Sequence, residues 1–135
     1  MLALAAALSA LAALLHVGVI GGGADWYRFF GAGERMARLA EAGSLRPAMI
    51  TLGIAAVLAT WAAYAASGAR LLRPLPLLRA ALVAITAVYL LRGLALVPAA
   101  LMPALHTPFN LWSSAICLAI GMVHALGLRQ AWKRL

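Results

Sequence analysis

Eight side chains within the apolar stretches of this chain can do polar chemistry: His16, Thr51, Thr60, Tyr64, Thr86, Tyr89, Arg92 and His124. Arg92 is the most demanding of them, because it stands in AITAVYLLRGLALVPAA, residues 84–100. A guanidinium in hydrocarbon costs at least ~2.5 kcal/mol, so it should face the protein interior and find a partner. A carboxylate suits it best, accepting paired hydrogen bonds from the planar fork. The chain has only three acids, Asp25, Glu34 and Glu41, and depth brings Asp25 and Glu34 nearest to Arg92.

Depth is counted at about 1.5 Å of helical rise per residue. His16 and Arg92 each lie roughly 21 Å from the same end of their helices. Tyr89 is one turn from Arg92 on the same face. These distances predict an outward-facing polar pocket in which Arg92 anchors an anion or hydrogen-bond acceptor. His16, Asp25, Glu34, Tyr89 and Trp26 are its expected companions. Two plainer readings stand beside it: the carboxylate pins the first connection to the helices, or Arg92 snorkels to the interface. His124 lies near the far end of the fourth stretch and is expected to be a hydrogen-bonded core residue. A haem held by two histidines would need both nitrogens at one iron, yet His16 and His124 differ in depth by about 15 Å. No spacing resembles a zinc or di-metal site. No cofactor is expected.

These side chains must be positioned by apolar helices. Of the 135 residues, 66% are hydrophobic and 10% charged, a balance that fits one integral membrane domain over residues 1–135. Four runs, at about 2–22, 47–67, 78–97 and 109–127, are long enough to cross a bilayer, which needs about 20 residues of helix. Their length and lack of two-residue alternation exclude strands. The fold class is therefore all-α, a polytopic four-helix bundle. The N-terminal run lacks a basic start and outlasts a typical signal core, which reads as a retained span. Ser44 upstream of Pro47, and Thr107 before Pro108, mark helix starts. Pro98 and Pro103 close the third run, and Gly127 closes the fourth. The lone Cys117 excludes an internal disulfide, and its apolar setting reads as a buried, inert thiol.

The formal net charge is +8. The basic residues lie at the ends of apolar runs, which points to headgroups rather than nucleic acid. Arg70, Arg73, Arg79, Arg129, Lys133 and Arg134 oppose Arg28, Arg35, Arg38 and Arg46, which predicts both termini on the cytoplasmic side of a bacterial-type plasma (inner) membrane. The first connection, GGGADWYRFFGAGERMARLAEAGS, opens on glycines and an aromatic cluster of Trp26, Tyr27, Phe29 and Phe30. Residues 33–42 then predict a short interfacial or re-entrant helix, with Met36, Leu39 and Ala40 on one face and Glu34, Arg38 and Glu41 on another. Small residues recur at four-residue spacing, as Ala5, Ser9, Ala13 and as Ala55, Ala59, Ala63, a pattern that lets helices approach closely within the bundle or between subunits.

Four spans in 135 residues, with FGAGERMARLAEAG preceding a second span that opens after a proline, resemble the DoxX-like membrane proteins. Gly33, Arg35 and Met36 stand where that group carries a Gly-x-x-Lys-Leu-type stretch, with arginine replacing lysine. The second helix keeps Gly53 but lacks the glutamate of many relatives. The resemblance implies an integral inner-membrane four-helix bundle, sometimes an accessory subunit of a quinone-linked oxidoreductase. It transfers no catalytic residue.

The function expected from these features is a non-catalytic binding or accessory subunit. Its partners would be membrane lipids, a small lipophilic or anionic ligand, and a membrane-protein partner or a second copy of the chain. A small oligomeric transporter or channel is the alternative, although no embedded acid is available for proton coupling. An enzyme acting on lipid or quinone would have only His16 with Asp25 or Glu34 as an acid/base pair.

Overall fold

The computed structural model describes all 135 residues and is all-helical. Six α-helices run in order: α1 (Leu2–Phe29), α2 (Glu34–Glu41), α3 (Arg46–Gly68), α4 (Leu78–Leu94), α5 (Leu96–Leu101) and α6 (Pro108–Ala131). Short 3-10 turns cover Pro103–Leu105 and Trp132–Arg134. Four stretches are long and apolar enough to cross a membrane: Leu2–Phe29, Arg46–Gly68, Leu78–Leu101 and Pro108–Arg134. Only 22–28% of each apolar window is buried, so their outward surfaces are largely leucine, isoleucine and valine.

The termini of these helices correct the sequence expectation in three places. The first helix does not stop at residue 22. Only Gly23 leaves helical geometry (φ 67°, ψ −152°), and the chain re-enters the helix to Phe29. That backbone conformation is essentially confined to glycine, which explains a kink rather than a terminus. The third run is two helices, with the break at Ala95. Pro98 has no N–H to offer the carbonyl of Leu94, and its ring crowds that oxygen, so the helix must reset there. The fourth helix passes through Gly127 and continues to Ala131. Its start is as expected: Pro108 opens the first turn and the Thr107 hydroxyl accepts from the Asn110 N–H at 3.1 Å.

The chain forms two compact units. The first comprises residues 1–9 and 60–135, and its core joins Leu2, Ala5, Ala6, Ala65, Leu82 and Ala131. Gly127 serves packing here. A Cβ at that position would stand 2.8 Å from the Leu2 backbone nitrogen, and one at Gly68 would stand 2.8 Å from a Leu2 methyl. Leu2 is thus seated against two glycine surfaces. A second close approach joins α4 to α6. Gly93 abuts the Leu118 backbone, and Gly121 abuts Leu90.

The second unit comprises residues 10–59. Its short helix packs on α1 through Ala37, which is fully buried against Tyr27 and Val19. The centre of the α2 apolar face is therefore Ala37, flanked by half-buried Met36, Leu39 and Ala40. Of the expected ladder in α3, only Ala55 is buried, Ala63 being half-buried and Ala59 exposed. The buried line runs instead through Thr51, Ala55, Leu58, Ala62 and Ala65, because the 3.6-residue turn drifts away from strict four-residue spacing.

Candidate functional site

Arg92 occupies the last turn of α4, immediately before the break at Ala95. A helix end carries partial negative charge from unbonded carbonyls, so a cation is electrostatically placed there. The guanidinium spans to α6. Nη1 donates to the Ser114 hydroxyl at 2.6 Å and Nη2 to the Ser113 hydroxyl at 3.0 Å. The adjoining Gly93–Leu118 approach permits this, since it lets the two backbones come close enough for the side chain to reach both serines. Ser114 is fully buried, whereas Arg92 is exposed along the α4 surface. The site is a guanidinium clamped to two neutral hydroxyls, with no carboxylate among its ion-pair partners.

The carboxylates expected to serve Arg92 are engaged elsewhere, in the second unit. Arg28 donates to Glu34 through Nε at 2.8 Å and Nη2 at 3.0 Å, a bidentate fork. The same guanidinium meets Glu41 at 2.8 Å and Asp25 at 3.3 Å, and Arg38 Nε donates to Glu34 at 3.1 Å. The hydrogen bond from Arg28, and then that from Arg38, holds the Glu34 carboxyl well below the ordinary range, at about 2. The pairing of Arg92 with Asp25 or Glu34 therefore gives way to an Arg28 cluster that ties the end of α1 to α2. The physical reason is proximity in sequence. Asp25 lies one helical turn before Arg28, and a Schellman turn closing on Gly31 delivers Glu34 to its other side.

The remaining predicted residues also separate. Tyr89 does not accompany Arg92. It is buried, with Oη 3.1 Å from Ser9 Oγ, and Ser9 Oγ is 3.2 Å from His124 Nε2. The Tyr89 ring lies 5.1 Å from Trp61 and 5.2 Å from His124 between centroids. These hydrogen bonds join α1, α4 and α6 within the first unit, and Ser9, Tyr89 and His124 are all buried. His124 Nδ1 has no hydrogen-bond partner. His16 turns back on its own helix, with Nδ1 2.8 Å from the Ala12 carbonyl. Trp26 packs over Gly22, whose missing side chain makes the space, and leans on Phe30 at 5.7 Å.

Sequence reasoning missed Ser113, Ser114 and Arg28 as partners. The available signal for the serines was two adjacent hydroxyls inside an apolar helix, where polar side chains hydrogen-bond across to a neighbouring helix. No three or more of the chain's histidine, cysteine and acidic side chains converge in metal-binding range.

No family model, curated protein or solved structure matches this chain.

Proposed function

We propose that this is a multi-pass protein of a bacterial-type inner membrane that works without catalysis, as a binding or accessory subunit presenting Arg92 to an acceptor on a ligand or partner. The apolar exterior supports the membrane location. A surface of leucine and isoleucine with at most 28% of each span buried would be strongly disfavoured in water. Orientation rests on charge. The core around Leu2, Gly68, Leu82 and Leu135 gathers the start of α1, the end of α3, the start of α4 and the end of α6 at one end of the first unit. That end carries Arg70, Arg73, Arg79, Arg129, Lys133 and Arg134 and no acid. The positive-inside rule makes it cytoplasmic, with both termini there.

The single observation that carries the binding role is the incomplete satisfaction of Arg92. A guanidinium has five N–H donors, and the serine pair takes one from each of two nitrogens. On an exposed face in hydrocarbon, the open donors call for a further acceptor, such as the carbonyl or anionic group of a lipophilic ligand or a partner helix. An accessory role is also what the resemblance to DoxX-like proteins implies.

Native mass spectrometry of the full chain, released from mild detergent, tests this. Wild type should retain a defined small molecule or second polypeptide that Arg92→Gln loses and Arg92→Lys holds in part. Wild type without any such companion, or undiminished retention by Arg92→Gln, overturns the reading. Saturable flux into liposomes that depends on Arg92 would favour transport instead.

A further inference from the structure

The basic end of the first unit contains a feature that Arg92 does not explain. An open groove of about 470 Å³ is lined by Thr86, Ala125, Leu128, Arg129, Trp132 and Lys133. Its inner wall is apolar in effect. The Thr86 hydroxyl donates to the Leu82 carbonyl of its own helix at 2.7 Å, which spends its only hydrogen within α4, while Ala125 and Leu128 supply hydrocarbon from α6. Arg129 and Lys133 stand on the rim with Trp132 between them in sequence.

The rim is a built part of the fold. Arg79 of α4 donates from Nη2 to the Trp132 carbonyl at 3.0 Å, and its guanidinium carbon lies 5.3 Å from the Trp132 ring centroid. Beyond Trp132, the Leu135 N–H donates to Ala131 O at 3.2 Å, and the Leu135 side chain packs on the Leu2–Leu82 core. This segment is thus pinned at both the Trp132 carbonyl and the Leu135 side chain. The charge is uncompensated. All of the chain's side-chain ion pairs lie among Asp25, Arg28, Glu34, Arg38 and Glu41, so Arg79, Arg129 and Lys133 have no carboxylate.

We propose that this groove binds one anionic phospholipid, with its phosphodiester between Arg129 and Lys133 and an acyl chain along Leu128, Ala125 and Thr86. Three features select that occupant. Basic pockets between helices on the cytoplasmic side suit anionic headgroups. A tryptophan at the headgroup level combines an apolar ring with a polar edge. A zwitterionic lipid would bring its own ammonium to a site with three nearby cations and no acid. The proposal rests on the membrane location argued above and is independent of Arg92.

The test uses the full chain in detergent, titrated with phosphatidylglycerol or phosphatidylcholine and read by native mass spectrometry. Phosphatidylglycerol should bind more tightly, with one preferred copy. Replacing both rim cations (Arg129→Ala with Lys133→Ala) should weaken it by about thirtyfold, near fivefold for each charge. The charge-matched pair Arg70→Ala with Arg73→Ala should leave it nearly unchanged. Ala125→Leu fills the groove without altering charge and should also lose the preference, with thermal stability checked in parallel. Equal loss in the Arg70/Arg73 pair would make the effect diffuse electrostatics and overturn the site. Full displacement of the lipid by inorganic phosphate would reduce it to a free-anion site, and equal binding of the two lipids would sink it outright. A chain that fails to partition into membranes at all would instead remove the location on which both proposals stand.

Discussion

Gly93→Ala is the substitution on which the α4–α6 clamp can be judged. The added Cβ would stand 2.5 Å from Leu118 Cα and 2.6 Å from its nitrogen, both backbone atoms that no rotamer change can move. Carbon pairs settle near 3.5–4.0 Å, so the two helices would have to part by about 1 Å. Overpacking of this kind costs about 1–3 kcal/mol, against a helix-propensity gain of up to about 1 kcal/mol for alanine. Parting the helices also stretches the Arg92–Ser114 bond from 2.6 Å to beyond about 3.5 Å, outside hydrogen-bonding range. Gly53→Ala is the matched control, since nothing lies within 4 Å of its added Cβ and only the propensity gain applies. In reversible SDS unfolding of the full chain in mixed micelles, Gly93→Ala should fall about 1–3 kcal/mol below Gly53→Ala. Equal stability of the two would refute the close approach and, with it, the geometry that lets Arg92 reach both serines.

Two further outcomes follow from named contacts. In a double-mutant cycle, Arg92→Leu and Ser114→Ala should couple by about 1 kcal/mol, below the usual range for a charged hydrogen bond because the guanidinium is exposed; an additive cycle would mean the bond contributes nothing. Glu34 is held at about 2 against an ordinary 4.5, so the unfolded connection binds the extra proton and stability rises with pH through that window. The anchoring of α2 should therefore be intact above about pH 4.5 and lost as the pH falls toward 2. A nitroxide on Ala42→Cys, in a Cys117→Ala background, should become mobile over that range. High salt should weaken the effect, and Glu34→Gln should abolish its pH dependence; an unchanged spectrum down to pH 2 would contradict the ion-pair assignment.

The four long apolar helices were legible because length and apolarity are additive along a chain and need no knowledge of neighbours. Helix ends were less so, since a glycine reads the same whether it breaks a helix or accommodates a neighbour. Gly23 does the first, through a backbone conformation that alanine resists, and the aromatic residues behind it stay helical. Gly127 does the second, opening a surface for Leu2. The site was legible at Arg92 and illegible in its partners. Depth counting ranks groups along a helix axis but says nothing of rotation about it. Tyr89, one turn from Arg92, accordingly belongs to the sealed Ser9–His124 chain, while Ser113 and Ser114 take the guanidinium.

A single proline explains why the arginine stands where it does. Pro98 forbids a continuous helix from Leu78 to Leu101, so α4 ends at Leu94 and the Leu94 carbonyl lacks the N–H that residue 98 would have donated. A cation in the final turn offsets that exposed negative end, and Arg92 is the only charged residue between Arg79 and Arg129. The serines then hold its head beside α6, and Gly93 sets the distance. Helix break, cation, hydroxyl pair and glycine thus answer one electrostatic problem.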